Sequence, residues 1–162
     1  MKKIAYLTLL IILSISIKSC SGYKPIFSSS NLNFNIQSYS IEGNRRLGNN
    51  IYSKLHNLSK AQKNKENLKN IDLYINVLDS KESTSKDTAG KILEYKISIR
   101  VEIKINDSTN SKKILNEVFT SSTSYKTQSE YSQTLKLEEK SLDNLLNSTY
   151  QKVLIKLSNV LS

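Results

Sequence analysis

The sequence predicts an α+β domain. It is a two-layer sandwich in which a four-stranded mixed sheet carries two helices on one face, in the order β-α-β-β-β-α. Three observations predict it. Over Ile92–Ile105, Tyr95, Ile97, Ile99, Val101, Ile103 and Ile105 alternate strictly with Lys96, Ser98, Arg100, Glu102 and Lys104. Such a period of two describes a half-buried antiparallel strand with one wet face. Over Leu135–Leu161, the residues Leu142, Leu146, Thr149, Val153, Leu157 and Val160 recur at helical steps, and Leu145, Tyr150, Leu154 and Leu161 widen the stripe into a long amphipathic helix. Leu47, Ile51, Leu55 and Leu58 make one face of a second, shorter helix.

The remaining elements follow in chain order. Asn35–Glu42 alternates weakly around Ile36 and Ile41 and reads as the first strand. Asn44, just after Gly43, is placed to cap the first helix. Residues 59–70 are polar and read as a loop. Ile71–Leu78 is the second strand, with Ile71, Leu73, Ile75 and Val77 on one face and Tyr74 and Leu78 on the other. Ser80–Gly90 reads as a turn region of mixed charge, Ile92–Ile105 as the third strand, Asn106–Ser111 as a hairpin loop and Lys113–Ser124 as the fourth strand. The facing of this last strand is ambiguous, with Leu115, Val118 and Phe119 available for packing. A crossover through the first helix makes strands one and two parallel, and short connections make strands two to four an antiparallel meander. Both helices need an apolar partner and the sheet offers mainly one such face, hence two layers.

The amino terminus carries a different signal. Lys2 and Lys3 precede the one continuous apolar stretch, Ile4–Ile17, and the only cysteine, Cys20, follows shortly after Ser19. A charged start, a short apolar run and a small residue before a cut describe a secretory signal peptide. The run is shorter than the about 20 residues a bilayer span needs. With cysteine directly after the cut, the pattern looks like a bacterial lipoprotein signal, in which the Cys20 thiol is acylated. Lys18 is a charge where a small or apolar residue is usual. A plain secretory signal with a free thiol and an uncleaved N-terminal anchor are the other readings. The expected organisation is a signal peptide over residues 1–19, a lipidated, exposed tether over 20–33 and one domain over 34–162.

Cleavage before Cys20 leaves 143 residues, enough for one domain, with 21 basic residues against 14 acidic and a formal charge of +7. That balance favours anionic partners, and export argues against nucleic acid. The bland reading is that many lysines only solvate a surface. A single cysteine allows no internal disulfide, so stability has to come from a packed core. Glycine and proline are scarce, which favours regular elements over loops.

No catalytic constellation is legible, and no enzyme, cofactor or metal is expected. The single histidine, His56, lies beside the apolar stripe of the first helix with no evident acid or nucleophile partner. The sequence contains no GxGxxG, P-loop, HExxH or GxSxG motif. Glu138 and Glu139 sit on a lysine-rich helix, where a solvated face is the ordinary explanation.

The run Cys20-Ser21-Gly22-Tyr23-Lys24-Pro25-Ile26-Phe27 resembles the opening of the LPS-assembly lipoprotein family (LptE), with Ser21 as an extra residue. The alternating strand at 95–105, the Ser/Thr-rich strand ending in Ser124-Tyr125 and the long C-terminal helix follow the same layout. The resemblance implies an outer-membrane lipoprotein held to the membrane by its lipid anchor. Such a protein helps an LptD-type β-barrel translocon to fold, plugs it and contacts lipopolysaccharide. Lys81, Lys86 and Lys91, read as one loop between the second and third strands, are the expected lipopolysaccharide contacts, ahead of Lys112 and Lys113 at the other end of the sheet. The alternative is a periplasm-facing lipoprotein accessory of another envelope transport or secretion system, binding protein rather than lipid.

Overall fold

Alternation along the chain becomes burial in space. The computed structural model describes residues 32–61 and 68–161. The signal segment, Cys20 and the motif that follows it lie outside the described residues. The elements are β1 (Phe34–Gly43), α1 (Arg45–Lys60), β2 (Lys69–Lys86), β3 (Ile92–Asp107), β4 (Lys113–Lys126) and α2 (Tyr131–Leu161). The sheet order is β1-β2-β3-β4, with β1 parallel to β2 and the other pairs antiparallel, as expected from the crossover and the short connections.

One face of this sheet is apolar and covered. Ile71, Leu73, Ile75 and Val77 of β2, the odd residues Ile97–Ile105 of β3, and Leu115 and Phe119 of β4 are all buried. They meet Leu47, Ile51 and Leu55 of α1 and Leu145, Leu146, Val153 and Leu157 of α2. Register settles the ambiguous facing of β4. Leu115 opposes Ile105, Phe119 opposes Val101 and Tyr125 opposes Tyr95, so these share the covered face, and Val118 lies on the other, 42% exposed. That other face has no helix over it among the described residues, and it presents Arg100, Glu102, Lys104 and Thr120.

Close approach fixes α1 against the sheet. Gly43 has φ +70°, where L side chains are strained, and a Cβ there would stand 2.1 Å from the Val77 carbonyl oxygen, which accepts from Asn44 N at 2.7 Å. Asn44 Oδ1 accepts from Leu47 N at 3.2 Å, the expected cap.

Several boundaries differ from the sequence reading, most by one or two residues and three in ways that matter. Leu32 is only 3% exposed, so the packed domain includes at least the last residues assigned to an exposed tether. The longest discrepancy is β2, which runs to Lys86 and not Leu78, so most of the supposed Ser80–Gly90 turn is strand. Its residues from Asp79 onward are exposed and lack apolar alternation, yet they pair in register with β3, Lys81 opposite Ile97 and Ser83 opposite Tyr95. Backbone pairing holds this strand where burial does not. The turn itself shrinks to a few residues around Asp87, whose Oδ1 accepts from Ala89 N and Lys91 N while Gly90 supplies φ +84°. Finally, α2 begins at Tyr131, a turn before Leu135; Tyr131, Ser132 and Gln133 are exposed and the buried Thr134 is polar, so none of them adds to the apolar stripe.

Candidate functional site

β1 ends opposite Val77, so β2, β3 and β4 continue past it as a three-stranded arm. Among the described residues, the arm is covered by the front of α2. Beneath that cover lies a groove of about 470 Å³, lined among others by Lys81, Lys91, Tyr95, Tyr131, Leu135 and Glu138. Its walls are set by hydrogen bonds from the β4–α2 link. Thr127 N donates to Leu93 O at 2.9 Å and Thr127 Oγ1 to Ile92 O at 2.9 Å, tying the β4–α2 link to β3. Gln128 N donates to Thr134 Oγ1 at 2.8 Å, tying the same link to the helix. A smaller depression of about 270 Å³ shares Leu135 and Glu138 and extends the site toward Arg46 of α1.

At the groove's inner end four side chains form one cluster. Lys81 Nζ donates to Glu138 Oε2 at 2.5 Å, and Tyr125 Oη donates to the same oxygen at 2.8 Å. The Lys81 ammonium also stands 4.3 Å from the Tyr95 ring centroid, and the Tyr95 and Tyr125 rings stack at 5.8 Å. Burial favours the neutral form of each partner, but the hydrogen bonds dominate for the ions. The Glu138 carboxyl is held below its usual range by Lys81 and Tyr125 in spite of burial. For Lys81, burial pulls the pKa down, and the bonds to Glu138 and Tyr125 overcome it, so the ammonium is held charged above its usual range. Tyr125 is pushed up, chiefly by burial.

The three lysines expected to act together are not one loop. Lys81 lies on β2 in the cluster just described, and Lys91 follows the turn and lines the groove. Lys86 closes β2 opposite Ile92 and is exposed outside that lining. Glu138, read as a solvated helix residue, is instead the anion at the centre of the cluster. Tyr95, Tyr125 and Tyr131 complete a site that sequence reasoning did not assemble. A partial signal existed, since Tyr95 and Tyr125 end two strands and mark the arm.

His56 sits elsewhere. It stacks on Tyr52 with centroids 5.3 Å apart, and Tyr52 stacks on Tyr39 at 3.9 Å. Among the described residues, no group of three or more His, Cys, Asp or Glu side chains is arranged to hold a metal ion. No helix among them is long and apolar enough to cross a membrane. The groove brings together the two lysines Lys81 and Lys91, the carboxylate of Glu138, aromatic walls from Tyr95 and Tyr131, and the apolar Leu135.

Comparison with solved proteins places this architecture. A minor lipoprotein from Acinetobacter baumannii is similar over 79% of this chain and 93% of its own, with TM-score 0.56 and 13% identity. An uncharacterized lipoprotein B from Nitrosomonas europaea is similar over 82% of this chain and 88% of its own, with TM-score 0.56 and 18% identity. The fold is one that bacterial lipoproteins adopt. A Caulobacter crescentus structure matches to the same degree, TM-score 0.56 over 81% of this chain and 92% of the other, at 14% identity. At these identities the likeness is one of fold. No family model matches the chain, and no curated protein matches its sequence.

Proposed function

We propose that this protein is an outer-membrane lipoprotein, anchored through Cys20 on the periplasmic side. In this role it assists assembly of an LptD-type β-barrel, plugs that barrel and helps deliver lipopolysaccharide to the outer leaflet. The observation that carries the proposal is the agreement of two independent signals. The fold is shared with solved proteins named as lipoproteins, and the chain's own start has a signal-like run ending at Cys20, followed by a motif resembling the LptE opening. The arm supports a binding role, because its groove presents ammonium groups beside aromatic and apolar walls. Phosphates of lipopolysaccharide attract ammonium groups, and hydrogen bonds to charged groups are the stronger kind. Lys86 and Lys91 are the exposed contacts in this reading. Lys81 joins them by exchanging Glu138 for a phosphate.

Co-purification from detergent-solubilised membranes tests the proposal. A large β-barrel retained with the protein, and lost from the outer membrane when the protein is removed, supports it. Recovery with a different envelope complex and no barrel would overturn it in favour of an accessory that binds protein. The proposal also has the protein acting without catalysis, and turnover of any envelope substrate by the purified chain would contradict that part.

A further inference from the structure

The topology gathers a second set of lysines at the end of the sheet opposite the arm. β1 starts there, with Asn33 O accepting from Lys69 N at 3.1 Å. The β3–β4 turn closes over the same end, with Ser108 N donating to Asn70 O at 3.0 Å and Asp107 N to Lys112 O at 2.8 Å. Helix α1 runs back from Asn44 to finish at Lys60, one connection away from β2. Lys60, Lys69, Lys112 and Lys113 are all exposed at this end, and none forms an ion pair among the described residues. The described carboxylates nearby hydrogen-bond to neutral donors and form no ion pair with these lysines. Asp72 accepts from Ser38 Oγ at 2.6 Å and Ser108 Oγ at 2.8 Å, which hold it ionised, and Asp107 Oδ1 accepts from Thr109 N at 2.9 Å. Glu117, further along β4, is paired with Lys156.

This is also the end from which the chain leads back to Cys20. Leu32 lies twelve positions after Cys20, a reach of at most roughly 40 Å. We infer that Lys60, Lys69, Lys112 and Lys113 form a docking face for anionic phospholipid headgroups of the membrane that holds the anchor. The inference rests on the reading of Cys20 as the lipidated residue, and it goes beyond that reading by assigning a second, electrostatic contact. Acyl chains and a basic patch together give firmer attachment than one chain alone.

Lysine acetylation of the acylated, full mature protein on vesicles tests the inference. On phosphatidylglycerol vesicles at low salt, acetylation of Lys60, Lys69, Lys112 and Lys113 is expected to slow several-fold relative to phosphatidylcholine vesicles, with Lys86 and Lys91 unchanged. High salt should abolish the difference. The double variant Lys112→Glu, Lys113→Glu changes only exposed side chains and should lose the protection at Lys60 and Lys69 while circular dichroism stays the same. Protein that floats with both vesicle types but shows equal acetylation on each overturns the docking face and leaves the anchor reading standing. Protein that floats with neither overturns both.

Discussion

Lys81 and Glu138 are 57 residues apart in the chain and 2.5 Å apart in space, one on β2 and one on α2. Their contact is the charged fastening between the projecting arm and the helix that covers it. The pair is partly wet, with side chains 37% and 22% exposed, so solvent screening limits its worth.

Replacing Lys81 with Met, or Glu138 with Gln, is therefore expected to lower stability at neutral pH by no more than about 1 kcal/mol. The pH dependence is more diagnostic. Glu138 is lowered in the folded state, so the native protein binds fewer protons than the unfolded chain as pH falls below the ordinary glutamate value of about 4.3. Its contribution is full above that value and disappears as pH drops through the lowered one. Lys81 is raised, so its contribution is full below about 10.4 and disappears only at higher alkaline pH. Denaturation midpoints measured against pH should show an acid step that is smaller in Glu138→Gln.

The two glycines of positive φ differ in what surrounds them. A Cβ on Gly43 would meet the Val77 carbonyl oxygen at 2.1 Å, whereas Gly90 has open space around it. Gly90→Ala should cost about 1–2 kcal/mol, the left-handed penalty alone. Gly43→Ala should cost about 1–3 kcal/mol more, from backbone overpacking. Equal melting temperatures for the two variants would contradict the close approach of β1 to β2.

Sidedness of the sheet gives a third expectation. Ile99 and Val101 are 1% and 0% exposed, so Asp at either place buries an unpaired carboxylate and should unfold the domain. Asp at Ser98 or Arg100, on the uncovered face, should change stability by only about 0.5 kcal/mol. Chemical denaturation of the four variants separates the two outcomes.

Binding of purified lipopolysaccharide should weaken several-fold, and in a salt-sensitive way, in the double variant Lys86→Glu, Lys91→Glu. Lys81→Glu is a poor test, since it would set a carboxylate against Glu138 and disturb the fold. A larger loss from Lys112→Glu, Lys113→Glu would move the site to the other end of the sheet.

Much of this fold was legible because burial writes a period into the sequence. The alternation of β3 and the stripe of α2 are visible wherever one face is dry. The outer half of β2 was not legible for the converse reason. Asp79–Lys86 is wet on both faces, so hydropathy carries no period there, and the strand exists because β3 supplies a register. The same reasoning explains Tyr131–Gln133, exposed residues that open the helix without a dry stripe. The candidate site was half legible. Lys81 and Lys91 were singled out by charge and proximity in sequence. Glu138 and Tyr125 were not, because no local pattern announces that a residue on α2 and another on β4 meet at one ammonium group.

The overhang of β2 beyond β1 leaves Leu78–Lys86, among the described residues, paired on the β3 side only. An unpaired strand edge is a template on which another chain can add, the first step toward aggregation. Here the edge carries Asp79, Lys81, Glu82 and Lys86 within nine residues. An incoming strand would have to accommodate closely spaced charges of both signs without the alternating apolar side chains that reward stacking. The same polarity that hid this strand from hydropathy protects it from promiscuous self-association.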